Sequence, residues 1–253
     1  MSEGKFRLYK DLAWLWPLWE DAEEYRAESE LFARLIKQYS RIGVSNILDI
    51  GCGGGKNAFH LKRHFALTGI DVSEEMLALA RDLNPECDFR LGDMRDFDLG
   101  REFDAVFIND SITYMSTKAD LLSAFQSAFR HVRPGGVVIT YPEHFKETFV
   151  QNETKVSRAN APGKPDNLDV VFIENSYDPE PDDDTYEFTL VYLIRENGRL
   201  RIEHDSHTAG VFSLDVWRES LRATGFDVHE EGRGEIPGPS GQQLPIFVCV
   251  KPT

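Results

Sequence analysis

The sequence predicts a doubly wound α/β protein, with a mostly parallel seven-stranded sheet and an antiparallel β insertion after the fifth strand. Three observations predict it. The β-rich run Asn46–Ile50 leads straight into a glycine loop, Gly51-Cys52-Gly53-Gly54-Gly55, and then into a helical stretch. From there short β-rich runs alternate with helical ones, as a parallel sheet with helices on its faces requires. After Tyr141 the rhythm changes to successive β-rich runs, and α/β order returns near Leu214.

Ahead of the sheet, Glu20 to Tyr39 reads as one amphipathic helix, with Leu31, Phe32, Leu35, Ile36 and Tyr39 on one face. The aromatic cluster before it (Tyr9, Trp14, Trp16, Trp19) suits either plain packing or a lid over a site. The parallel strands fall at Asn46–Ile50, Ala66–Ile70, Asp88–Leu91, Asp104–Ile108 and Val137–Tyr141. Ser73 is placed to cap the helix after the second strand, with Glu74 and Glu75 in its first turn and Met76, Leu77 and Ala80 on its inner face. Leu121, Leu122, Phe125, Ala128 and Phe129 recur at helical spacing, and Arg133-Pro134-Gly135-Gly136 stops that helix. The insertion offers strands at Val170–Glu174, Phe188–Ile194 and Leu200–Thr208, the last two joined by a turn at Asn197-Gly198. An acidic loop, Asp178 to Asp184, separates the first pair. A helix from Leu214 to Ala223, capped by Ser213 and ended by Gly225, precedes closing strands at Phe226–His229 and Ile246–Val250. The chain thus divides into an N-terminal helical lid segment (1–45), a core (46–149 and 211–253) and a β insertion (150–210).

The 253 residues, 41% of them hydrophobic, suffice for one such domain with a sizeable core. Their 43 acidic against 28 basic residues give a net charge of −15. Phosphate binding needs clustered cationic charge, so nucleic acid and anionic membranes are excluded as partners, and a small-molecule substrate is expected. Solubility alone accounts for such acidity, although a cationic ligand would find the field favourable. Three cysteines (Cys52, Cys87, Cys249) lie far apart without a CxxC pair, so no metal site and no disulfide is expected. The opening residues mix charges among apolar positions unlike a signal peptide, and no apolar run reaches the roughly 18 residues of a membrane span. A cytoplasmic location is the expectation.

Glycines between a strand and a helix let the backbone turn tightly and approach a ligand, and the helix N-terminus offers free N–H groups. Spacing separates the families that use such loops. A dinucleotide fingerprint needs glycine where Lys56 stands; a phosphate loop needs glycine at Ile50 and Ser or Thr at Asn57. Both fail, and Asp49 followed by Gly51-x-Gly53-x-Gly55 remains. Asp71, at the end of the next strand, is suited to accept two hydrogen bonds from a ribose diol, which supports a nucleoside without choosing which. Met76, one turn on, is placed either to pack on an adenine face or simply in the core.

The acidic residue with GxGxG resembles motif I of the class I S-adenosylmethionine-dependent methyltransferases, whose core is Rossmann-like. Gly92-Asp93-Met94 after the third strand and the Arg133–Gly136 turn are similar to the family pattern too. The resemblance implies S-adenosyl-L-methionine as cofactor, with S-adenosyl-L-homocysteine as product. It implies cofactor contacts from Tyr25, Asp49, Gly51, Cys52, Gly53, Asp71, Val72, Met76, Asp93, Met94 and Asn109, with Asp93 accepting the adenine amino group. The end of the fourth strand (Asn109, Asp110, Ser111, Tyr114) is where donor and acceptor would meet. Substrate contacts are expected from Tyr9, Trp14, Ser111, Tyr114 and Tyr141, with Tyr9, Trp14 and Tyr25 closing the site, and Tyr114 and His144 are the candidate catalytic groups.

Within the family the [DNS]PP[YF] motif of amino-DNA enzymes and the paired glutamates of arginine methyltransferases are absent. The chain resembles small-molecule, nucleotide-linked amino-sugar N,N-dimethyltransferases. It does so in Gly-Asp-Met-Arg-Asp-Phe at 92–97, Pro-Gly-Gly-Val-Val at 134–138, Glu-Thr-Phe at 147–149 and Gly-Pro-Ser-Gly at 238–241. That branch implies in-line methyl transfer to an amine nitrogen, and a homodimer through the β insertion. Two departures leave the acceptor open. Tyr141-Pro142-Glu143-His144 stands where the branch is acidic and tryptophan-rich, and Gln242 and Gln243 stand where it carries an arginine suited to a phosphate. A small-molecule O-methyltransferase with His144 as base, or a non-catalytic S-adenosylmethionine-binding protein, are the competing readings.

Overall fold

A computed structural model describes residues 5–19, 21–159, 164–232 and 244–253. Its centre is a seven-stranded sheet built from β1 (Asn46–Ile50), β2 (Ala66–Asp71), β3 (Asp88–Leu91), β4 (Phe103–Ile108), β5 (Val132–Thr140), β10 (Asp227–Glu231) and β11 (Ile246–Val250), in the order β10-β11-β5-β4-β1-β2-β3. All neighbours run parallel except β11, which lies antiparallel between β5 and β10. β1 pairs with β2 on one side and β4 on the other, Ile50 facing both Ile70 and Ile108. Strand order reverses there, which opens a crevice at the carboxyl ends of these strands.

Alternation along the buried strands sends successive side chains to opposite faces. Ile47, Phe107, Val137, Ile139 and Val248 meet Phe32 and Ile36 of α2 (Arg26–Tyr39), Leu61 of α3 (Lys56–Leu61) and Leu77 of α4 (Glu74–Leu83). Leu48, Ile50, Val106, Ile108, Val138 and Phe247 meet Leu121 and Phe125 of α5 (Lys118–His131) and Trp217 of α6 (Leu214–Thr224). The caps read from sequence form: Ser73 accepts from Met76 N–H, Ser213 accepts from Val216 N–H, and Gly225 closes α6 at φ +107°.

The insertion is a separate antiparallel sheet of four strands: β6 (Glu153–Arg158), β7 (Leu168–Tyr177), β8 (Thr185–Glu196) and β9 (Arg199–Gly210). The β8–β9 hairpin turns at Asn197-Gly198, both at positive φ, and Glu196 faces Arg199 across it. One face of this sheet packs on the N-terminal segment, where Leu8, Leu12 and Leu15 meet Leu168, Val170, Phe172, Leu190, Tyr192 and Ile194.

Three features differ from the sequence expectations. The helix expected from Glu20 begins at Arg26, because Asp21 and Glu24 form a reciprocal capping box that holds Ala22–Tyr25 as a 3-10 turn. β6 is an added fourth strand of the insertion. The stretch Arg133–Gly136 does end α5, yet it already belongs to an extended β5, whose pairing with β4 shifts register between Phe103 and Ala105.

Candidate active site

The glycine loop is pinned where β1 meets its neighbours. Gly51 and Cys52 both donate their N–H to the Ile70 carbonyl, at 2.8 and 2.9 Å. Gly51 sits at φ +70°, and a Cβ there would lie 2.3 Å from Ser111 Oγ, so only glycine fits. A Cβ on Gly54 would lie 2.5 Å from the Trp16 ring, so the loop backbone is open enough for an aromatic group to press on it. Asp71 accepts from Gly53 N–H at 2.8 Å through one oxygen and from Ser73 N–H at 2.9 Å through the other. One carboxylate therefore ties the loop to the start of α4.

Charge gathers at this crevice. Burial, then the neighbouring Asp71 and Asp110, push the Asp49 carboxyl up to about 8. Burial raises Asp71 as well, against the backbone N–H groups that stabilise its charge. A buried acid raised further by two acidic neighbours marks a site that gains by taking up a cation. Two buried polar atoms beside the loop also lack partners: Trp16 Nε1, a donor, and Asn109 Oδ1, an acceptor. The other end of the Asn109 amide donates to Asn57 Oδ1 at 2.9 Å, which fixes its orientation. A donor, an acceptor and neighbouring acids fit the carboxylate, ammonium and sulfonium of an S-adenosylmethionine tail.

Most of the expected cofactor residues converge here. The Met76 methyl lies against Gly53 and Gly54, and the Met94 methyl against Gly51. Tyr25 shares the Lys56 ammonium with Trp16, at 5.3 and 4.7 Å from the two ring centres. Cys52 Sγ points to the Gly53 carbonyl, and burial raises its thiol well above the ordinary range, so it stays protonated. Asp93 is held in a fork by Arg95 at 3.0 and 2.6 Å, and Val72 is 66% exposed on the rim.

Acceptor-side residues split into two groups. Ser111 donates to the Ile50 carbonyl at 3.2 Å. One turn on, Tyr114 Oη lies 2.7 Å from Tyr9 Oη and 2.8 Å from His207 Nδ1. Phe6 and Tyr9 pack edge-on against Tyr114, Phe188 stacks on His207, and Tyr9 leans on Trp16. His144, by contrast, lies in a cage with Phe149 and Tyr186; its Nε2 has no hydrogen-bond partner and burial lowers its basicity. Tyr141 stacks on Phe32 beneath α2, and Trp14 is exposed near Arg201. The Gly238–Gly241 run, Gln242 and Gln243 lie outside the described residues.

Trp16, Asp205 and His207 were not singled out as site residues from sequence. Asp205-x-His207 carried a usable signal, because residues two apart on a strand share a face. Among the described residues no helix is long and apolar enough to cross a membrane.

A parallel sheet reversed at β1, a glycine loop at that point and an acid ending the next strand define a nucleoside-binding α/β enzyme of the methyltransferase class. A methyltransferase-domain family model matches residues 47–136. The dTDP-3-amino-3,6-dideoxy-alpha-D-glucopyranose N,N-dimethyltransferase of Streptomyces fradiae is 30% identical over 231 residues, 87% of this chain and 88% of that protein. Among solved structures, Streptomyces venezuelae DesVI has a TM-score of 0.80 at 29% identity over the whole of both chains. The sugar N-methyltransferase KedS8 from Streptoalloteichus has a TM-score of 0.82 at 25% identity, over 100% of this chain and 95% of that one. The chain belongs to the S-adenosylmethionine-dependent methyltransferases, of the nucleotide-amino-sugar N,N-dimethyltransferase type, and its cofactor is S-adenosylmethionine.

Proposed function

We propose that the protein methylates the amino nitrogen of a nucleotide-linked deoxyamino sugar. The observation that carries this reading is the aromatic and acidic wall facing the glycine loop. Phe6, Tyr9, Tyr114 and Phe188, with Asp110 close by, form a surface suited to an amine that arrives as an ammonium ion. The similarity to amino-sugar dimethyltransferases over nearly 90% of both chains names the class of molecule.

S-adenosylmethionine supplies a methyl group already activated on a sulfonium, which a neutral amine takes by in-line displacement, leaving S-adenosylhomocysteine. The protein's task is alignment, and proximity and orientation contribute about 7–11 kcal/mol to such a step. Asp71 and the loop N–H groups hold the nucleoside, and Met76, Val72, Asp93 and Met94 enclose the adenine. Trp16, Asn109 and Asp49 hold the amino-acid tail, with Tyr25, Gly51, Cys52 and Gly53 shaping the loop around it. Ser111, Tyr114 and Tyr9 position the acceptor. His144 stands apart with Phe149 and Tyr186, Tyr141 packs in the core against Phe32, and Trp14 lies by Arg201.

In this reading residues 1–45 are the lid, 46–149 and 211–253 the cofactor core, and 150–210 the acceptor and dimer insertion. The dimer is supported by the outer face of the four-stranded sheet, where Val156 and Ile202 stand exposed. A cytoplasmic site of action is supported by three free cysteines.

Incubation with S-adenosylmethionine and dTDP-3-amino-3,6-dideoxy-α-D-glucopyranose, followed by mass spectrometry, should show gain of one and then two methyl groups. Methylation only within a panel of hydroxyl acceptors would establish the O-methyltransferase instead. Tight S-adenosylhomocysteine binding without turnover on either panel would establish a non-catalytic binder.

A further inference from the structure

A buried acid–base pair stands behind the tyrosines. Asp205 and His207 sit two residues apart on the inner face of β9, both essentially without solvent exposure. His207 Nε2 lies 2.8 Å from Asp205 Oδ2, which also accepts from Leu8 N–H at 2.7 Å. Burial works against charge on Asp205, but hydrogen bonds from His207 and from the Arg7 and Leu8 backbone hold its carboxyl below the ordinary range. An ionised carboxylate only accepts, so the Nε2 of His207 carries the proton and its Nδ1 is left as an acceptor. Tyr114 must then donate to Nδ1, and Tyr9 must donate to Tyr114. Every hydrogen in the chain points toward Asp205, and the free lone pairs of Tyr9 Oη are left to receive a donor. Tyr9 packs against Trp16, whose ring presses on Gly54 of the cofactor loop, and the Tyr9 carbonyl accepts from Ser73, the cap beside Asp71. The open end of the chain therefore lies on the side of the glycine loop.

We propose that His207, held by Asp205, takes the proton from the acceptor amine through Tyr9 and Tyr114. The proposal rests on the amine-acceptor reading above. The ammonium N–H passes its proton to Tyr9 Oη, Tyr9 passes its own to Tyr114 Oη, and Tyr114 passes its own to Nδ1. Both tyrosines end neutral, His207 becomes an imidazolium paired with the Asp205 carboxylate, and the amine holds a free electron pair directed at the methyl carbon. After product leaves, the proton returns along the same hydroxyls to water. Burial holds both tyrosine hydroxyls well above their ordinary range, which suits relays and forbids either from resting as an anion.

The groups that face this chain come from every side. Arg7 and Tyr9 lie on the N-terminal segment, Tyr114 and Asp110 on the turn after β4, Tyr186 and Tyr192 on β8, and Glu143 after β5. A buried carboxylate costs desolvation, and a polar pair with no task could give way to two well-packed apolar side chains without loss. A relay explains why this pair is joined to the site through two hydroxyls.

The test compares His207→Gln and Tyr114→Phe with wild type on the dTDP-amino sugar across pH 5.5–9. Loss of a positioned base typically costs about 10²-fold or more. Both variants should lose about that much in kcat with KM and S-adenosylhomocysteine affinity within about threefold, and His207→Gln should regain rate as rising pH supplies the free amine. A His207→Gln enzyme within threefold of wild type across this pH range overturns the relay. Nitrogen-15 histidine spectra of wild type with S-adenosylhomocysteine give a reading independent of turnover and of variant folding. They should show His207 protonated on Nε2 alone, and a proton on Nδ1 overturns the relay. A wild-type protein inert on amino sugars would overturn the acceptor reading alone, and the spectra would still decide the relay.

Discussion

At the scale of single residues, the cofactor site depends on backbone space and on the spacing of carboxylates. Gly51 combines a positive φ with a Cβ direction already filled by Ser111. Gly51→Ala must move the turn after β4 or distort the loop, and we expect at least a 10-fold weakening of S-adenosylhomocysteine binding by calorimetry. Gly43, whose Cβ would meet open space, supplies the control. Asp49 makes a pH prediction. Its carboxyl is raised from 3.8 in the unfolded chain to about 8 in the fold. Between those values the folded protein holds a proton that the unfolded chain has released, so stability falls as pH rises through the window. Asp49→Asn should flatten that fall, and apo-protein melting at pH 6 and pH 9 measures it. A variant that loses as much stability as wild type over this range would show that Asp49 is ionised in the fold. Gly51 and Asp71 could be picked out as candidates because loop chemistry restricts residue type: a positive φ with no room for a Cβ selects glycine, and two backbone N–H groups to be accepted at once select a carboxylate. His207 was not, because histidine is equally at home in a core, and its meaning comes from Tyr114, 93 positions earlier in the chain.

At the scale of elements, the sequence was most readable where burial is one-sided or complete. β1, β2 and β4 are short apolar runs ended by polar residues, and their boundaries match the expected ones to within a residue. Ser73 and Ser213 were recognisable caps because a hydroxyl there satisfies an N–H that the helix cannot. β6 escaped notice for the opposite reason: Glu153–Arg158 is a largely exposed edge strand with no apolar alternation to detect. The same logic gives two stability predictions. Ser213→Ala should cost about 1 kcal/mol, a drop in melting temperature of about 2–4 °C for a chain of this size. Trp217 is fully buried, stacked on Phe247 at 5.5 Å and packed edge-on to Phe125 and Phe145, while its indole N–H has no partner. Trp217→Ala should therefore cost about 3–5 kcal/mol. Trp217→Phe should cost clearly less, because it removes an unsatisfied donor along with the lost contact. Denaturant titration of the three proteins orders them, and equal losses for Phe and Ala would contradict the packing described.

At the scale of the whole molecule, the N-terminal segment couples two sheets that share no strand. Leu8, Leu12 and Leu15 pack on the insertion, Trp19 stacks on Phe172 at 5.2 Å, and Trp16 and Tyr9 reach the glycine loop and Ser73. The insertion thereby holds the N-terminal segment, and that segment presses on the glycine loop. This division of labour leaves the insertion's other face without a task inside one chain. Strand register places Val156, Ile173 and Val191 in one row across that face, and Val171, Leu193 and Ile202 in the next. Val156 and Ile202 are exposed, and the other four are only partly covered. An apolar sheet face of this kind suits association, and for identical chains the commonest closed solution is a two-fold dimer. Wild type should therefore run in light scattering at about twice the 28.8 kDa chain mass. Val191→Glu with Ile202→Asp, which buries nothing new and breaks no ladder bond, should bring it to one chain. Its affinity for S-adenosylhomocysteine should stay within about twofold, because both side chains point away from Leu8, Leu12 and Leu15. A wild-type protein of single-chain mass would remove the dimer. A monomeric variant with lost cofactor binding would show that the two sheet faces are coupled through the insertion.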